Sequence, residues 1–106
     1  MDVEDTVMRH QEQKVEELKH YFQSECSDLA LVTKWDNDFL AYAFRFDGEA
    51  EVVHLLMISH VVLDDNTVPE IIEKMTKHSW KEVLKNKGKT PVIYTSKGFQ
   101  TPNPRR

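Results

Sequence analysis

The chain has 106 residues, 40% of them hydrophobic and 30% charged, with a formal net charge of −4 and a single cysteine. These figures describe one soluble globular domain able to bury an ordinary core without metal or disulfide, and the lone Cys26 excludes an intramolecular disulfide and leans towards a reducing compartment. They also exclude a membrane span, since the longest nearly apolar run is broken by His54, Ser59 and His60 and is too short to cross a bilayer. The first ten residues are acidic and polar rather than signal-like, so the expectation is a cytoplasmic protein.

Val7, Val15, Leu18 and Phe22 recur at helical spacing, flanked by Met8 and Tyr21, with Glu12, Lys14, Glu16, Glu17 and Lys19 on the other side. The pattern predicts an amphipathic helix over about residues 5–24, with Asp2 or Asp5 suited to its N-terminus. Leu29 to Trp35 alternates and reads as a strand. Asp36-Asn37-Asp38 is turn chemistry rather than a cation site, because no third and fourth oxygen ligands lie nearby.

Phe39 to Phe46 is the next strand, and Asp47-Gly48 predicts a two-residue type I′ hairpin. Such a turn sets Phe46 opposite Glu49, Phe44 opposite Glu51, Tyr42 opposite Val53 and Leu40 opposite Leu55. The other face then gathers Phe39, Ala41, Ala43, Val52, His54, Leu56 and Ile58, joined by Leu29, Leu31 and Trp35. Small alanines suit close packing, so the helices are expected on that alanine face.

Glu51 to Leu63 is apolar on both alternating faces, the mark of a central strand, and is ended by Asp64-Asp65-Asn66. Thr67-Val68-Pro69-Glu70 fits a capping box opening a helix over about residues 68–86, stopped by Gly88. Thr90 to Thr95 reads as a short strand, Lys97-Gly98 as a turn, and residues 100–106 as a flexible tail. The expected class is α+β. A helix, a three-stranded antiparallel meander, a second helix and a strand form a mixed four-stranded sheet, with the helices mainly on one face, in one domain over residues 1–99.

No cofactor or metal site is expected. Five histidines are present, none at zinc-motif spacing; His54 and His60 share a face of the supposed long strand but stand some 20 Å apart at about 3.3 Å per residue. Cys26 reads as a half-buried filler rather than a nucleophile. The order helix–three strands–helix–strand also occurs in metal-dependent nucleases, whose sites need an acid-x-lysine element. Glu49-Ala50-Glu51 stands at the corresponding place without the lysine, which leaves a degenerate nuclease-like domain as one alternative.

Charge suggests a second alternative. Residues 1–65 carry five basic side chains against fifteen acidic, a balance of −10, and residues 66–106 carry nine against three, a balance of +6. Lys74, Lys77, Lys81 and Lys85 share one face of the predicted second helix, and Lys87 and Lys89 extend it. Such a stripe can track phosphates, so nucleic-acid binding is one expectation; a solubilising face is the simpler one.

The main expectation is a non-enzymatic interaction or regulatory module. With both helices on the alanine face, Leu40, Tyr42, Phe44, Phe46, Val53 and Leu55 stand bare on the other. That apolar patch, rimmed by charge, is expected to bind a protein partner or a second copy as a homodimer.

Overall fold

The computed structural model describes residues 3–102, with their side chains from Gln11 onward. The elements run α1 (Val3–Glu25), β1 (Ala30–Asp36), β2 (Ala41–Asp47), β3 (Val52–Ser59), α2 (His60–Asp65), α3 (Val68–Lys77), α4 (Trp80–Lys87), β4 (Val92–Thr95) and β5 (Gly98–Gln100). The roles expected of the Asp2, Asp5, Val7 and Met8 side chains, and of residues 103–106, fall outside what is described.

The class is α+β, with a mixed sheet in the order β1-β2-β3-β4-β5. Neighbours are antiparallel except β3 and β4, which are parallel, as a strand–helix–strand crossover requires. Five strands replace the expected four. The Lys97-Gly98 turn is tight: the Thr95 hydroxyl accepts from the Lys97 N–H at 3.1 Å and donates to the Gly98 carbonyl at 3.2 Å, and Gly98 has φ +100°. It folds the chain back so that Phe99 stacks on Tyr94, ring centroids 4.6 Å apart, and Gln100 pairs with Ile93. Gln100 is therefore part of the sheet and not the start of a tail.

Two predicted elements are each split. The expected strand through Leu63 stops at Ser59, whose hydroxyl accepts from the Val61 N–H at 3.2 Å and caps α2. A distant segment holds this short helix in place. Lys14 Nζ donates to the carbonyls of Leu63 and Asn66, and Gln11 Nε2, itself buried, donates to Asp64 Oδ1 at 2.6 Å. Carbonyls at the end of so short a helix have few intrahelical partners, so a lysine delivered from α1 satisfies them.

The expected single helix over 68–86 starts at the predicted capping box, with Glu70 Oε1 accepting from Thr67 N–H at 2.7 Å and Thr67 Oγ1 from Glu70 N–H at 3.3 Å. It breaks at Ser79, which lies in the left-handed region at φ 56°. Met75 and Trp80 are both buried. On an unbroken helix, five residues turn the side chain by about 140°, away from the core; the break brings Trp80 back.

The largest departure is in β2. Phe46 pairs with His54, Phe44 with Leu56 and Tyr42 with Ile58, and the register shifts between Phe46 and Asp47, leaving Val53 as the extra residue. The hairpin is a four-residue loop over 48–51 closed by Gly48 N–H to Glu51 O at 2.8 Å, not a two-residue type I′ turn. On its other side β2 pairs Trp35 with Tyr42 and Leu31 with Phe46. β1 and β3 keep the faces expected of them, and β2 alone is turned over, because the two registers slip in compensating directions.

The helices cover the aromatic side of β2. Phe44 and Phe46 are sealed under α1, edge-on to Phe22 at 5.3 and 5.7 Å, and Trp80 meets Phe22 at 5.1 Å while its indole N–H donates to Tyr21 Oη at 3.3 Å. Energy decides the orientation. Burying each aromatic of β2 is worth roughly 4–6 kcal/mol at 25 cal/mol/Å² for 150–250 Å². Turning β2 the other way would expose all three and bury Arg45.

Candidate interaction surface

Tyr42, Phe44 and Phe46, expected as anchors of a bare face, are buried in the main core at 6%, 0% and 1% exposure. They are unavailable to any partner of the folded protein. The face turned away from the main core is the alanine face. Its centre is a small buried apolar cluster of Ala41, Met57 and Ile93, packed by Phe39 and Ala43, and its exposed residues lie around that cluster. Among the described side chains no helix residue belongs to that cluster, whereas α1, α2, α3 and α4 all contribute to the main core.

Three of the six predicted partner-binding residues remain eligible. Leu55 lies opposite Arg45 and is half-buried, Val53 is the half-buried bulge residue, and Leu40 is 49% exposed. Val32, 43% exposed and opposite Arg45 on the β1 side, joins them. Charge borders this surface. Lys34 lies opposite Ala43 and is exposed, and Arg45 makes a bidentate pair with Asp47, Nε to Oδ1 at 2.9 Å and Nη2 to Oδ2 at 3.0 Å.

The β1–β2 connection shapes one end of the face. Asp36 Oδ1 accepts from the Asp38 N–H at 2.9 Å and the Phe39 N–H at 3.1 Å, the self-capping turn expected of this acidic triplet. Leu40 then takes φ 50°, a conformation costly for a residue with a bulky side chain. Its carbonyl accepts from the His60 N–H at 3.0 Å, which ties the connection to the start of α2. The chain therefore spends backbone strain to hold an exposed leucine beside Phe39.

The lysine stripe is not one face. Lys74 and Lys77 lie on α3, Lys81, Lys85 and Lys87 on α4, and Lys89 beyond it, with the Ser79 break between the first two and the rest. Several ammonium groups have protein partners. Lys74 donates to Asn66 Oδ1 at 2.7 Å, Lys81 pairs with Glu25 and lies 5.7 Å from the Trp80 ring centroid, Lys87 reaches Thr101 Oγ1 at 3.4 Å, and Lys89 pairs with Glu51 at 2.8 Å. Bonds to Glu25 and Glu51 push Lys81 and Lys89 above the ordinary lysine value, and Lys89 holds the Glu51 carboxyl below its own.

Glu49 and Glu51, the degenerate acidic element, stand exposed in the hairpin loop. Among the described residues no group of three or more His, Cys, Asp or Glu side chains is placed to hold a metal ion. His60 is on α2, not on a strand with His54; its Nδ1 lies 3.9 Å from Asp64 Oδ2, and His54 Nδ1 lies 3.2 Å from the Gly88 carbonyl. Cys26 is half-buried, and burial together with nearby Asp28 pushes its thiol up. No helix among the described residues is long and apolar enough to cross a membrane. Comparison with protein-family models, curated proteins and solved structures finds no match for this chain.

One signal could have located the face from sequence. In the strand Phe39 to Phe46, Arg45 shares its alternating set with Phe39, Ala41 and Ala43. A guanidinium in the middle of a helix-covered face would have to be buried. Its presence marks the alanine set as the solvent side.

Proposed function

We propose that this chain is a small non-enzymatic interaction module that binds a protein partner through the open sheet face. Val32, Leu40, Val53 and Leu55 supply the apolar contacts, and the exposed Lys34 favours a partner whose apolar patch has an acidic border. The observation that carries this reading is Val32, 43% exposed and set opposite Arg45, with the half-buried Leu55 on the other side of Arg45, on a sheet face whose apolar cluster includes no described helix side chain. Interface centres are likewise apolar with charge at the rim.

Nucleic acid is the weaker reading, because Lys74, Lys81 and Lys89 already hold protein acceptors and the Ser79 break divides the stripe. The experiment is affinity capture from lysate with nuclease present, comparing the wild-type chain with Leu55→Lys and Lys77→Glu. A partner lost with Leu55→Lys and kept with Lys77→Glu supports the open face. A partner kept by Leu55→Lys, or recovered only when nuclease is omitted, overturns it.

A further inference from the structure

The sheet has two edges, and they differ. β5 is three residues long, too short to template another strand. β1 has seven, Ala30 to Asp36, with no proline and an unbroken register against β2. Lys34 is its one basic residue, and it points to the open face. Among the described residues, the backbone hydrogen bonds of β1 are those of its ladder with β2, and no loop or helix backbone is hydrogen-bonded to its outer side. Natural edges are usually blunted by shortness, bulges, prolines or several charges. β1 carries one charge within the strand, Lys34, and one at its last position, Asp36.

We propose that two copies of this chain pair antiparallel along β1, with Thr33 of one opposite Thr33 of the other, to form a continuous ten-stranded sheet. The register follows from side chains. A twofold axis normal to the sheet keeps each face continuous, so paired residues must have numbers that are both even or both odd. Centring on Lys34 sets two ammonium groups directly against each other, which is destabilising. Centring on Val32 leaves Trp35 and Asp36 past the end of the partner's strand and brings Asp28 opposite Asp36. Centring on Thr33 uses all seven residues of β1 and places no like charges opposite. It pairs Leu31 with Trp35 on the helix side, an apolar–aromatic pair, and Val32 with Lys34 on the open side. The two open faces then lie side by side as one broad surface, so the assembly extends the proposed binding face without occupying it.

The pairing predicts how one exposed position responds to charge. Val32 faces Lys34 of the other copy twice per dimer. Val32→Glu should tighten the dimer and Val32→Lys should weaken it, each by roughly 2- to 30-fold in dissociation constant for two cross-strand pairs. The double change Val32→Lys with Lys34→Glu should recover the loss. Sedimentation equilibrium of the full chain, from tens to hundreds of micromolar, reads these constants. Hydrogen exchange should show β1 amides gaining protection with concentration. Leu55→Lys, on the open face away from the edge, should leave the dimer intact even where it abolishes partner capture. A strict monomer across that range overturns the inference. So does a dimer that responds alike to both charges at Val32, or one that Leu55→Lys dissociates.

Discussion

Phe44 is fully buried at the centre of the core, its ring edge-on to Phe22 at 5.3 Å, so Phe44→Ala removes a large side chain from a site with no solvent behind it. Truncations of this kind cost about 3–5 kcal/mol, the lost transfer energy plus the cavity left behind. A domain of ordinary stability has about 5–15 kcal/mol in all, so a fifth or more is at stake. With a urea slope of about 1.5 kcal/mol/M, the unfolding midpoint should fall by about 2–3 M. Urea titration followed by the fluorescence of Trp35 and Trp80 measures it. Arg45→Ala, one residue away on the opposite face, should move the midpoint little. If Phe44→Ala also leaves the midpoint within about 0.5 M of wild type, Phe44 faces solvent and the register assigned to β2 is wrong.

Two further changes test the segmented second half. Thr67→Ala removes one side of the capping box and should cost about 1 kcal/mol; Glu70 is held below its ordinary value first by the Thr67 N–H, which alanine keeps, and second by the Thr67 side chain, so by carboxyl NMR it should stay below the ordinary glutamate value in the variant. Because the folded-state value is the depressed one, Glu70 contributes stability above the unfolded glutamate pKa, and this is lost as pH falls through the folded value. A Glu70 that returned to the ordinary glutamate value in Thr67→Ala would show that the Thr67 N–H is not what holds it down. Ser79→Gly should raise stability by roughly 0.5–1 kcal/mol in thermal unfolding by relieving the left-handed conformation, while Ser79→Ala, which keeps a Cβ, should give no gain.

Local signals were legible wherever one residue type and one turn sufficed. The Asp36 turn, the Thr67 to Glu70 capping box and the parallel placement of the strand after the second helix can all be read from nearby residues. What failed depended on groups far away in sequence. Val61, Val62 and Leu63 fit a strand or a helix equally well on periodicity, and Gln11 and Lys14, some fifty positions earlier, decide for α2. The face of β2 hung on two loop conformations, the left-handed Leu40 and the bulge at Val53, and a slip of one residue at either reverses every side chain of the strand. The expected bare face changed for the same reason: the three aromatics of β2 lie in the main core, and of the six residues expected there only Leu40, Val53 and Leu55 lie outside it.

The Trp80 indole bonds to Tyr21 across 59 residues of sequence, which bears on the order in which the chain is made. At about 5–20 residues per second, Tyr21 is synthesised some 3–12 s before Trp80. In that interval Leu18 and Phe22 have no finished core to enter, and the aromatics of β2 wait as well, because their shelter is built from both ends of the chain. The nascent protein is thus longest without its core while its apolar stripe is already in place. A trigger-type chaperone or a pause in translation would act on this molecule through α1 before it acted through any strand.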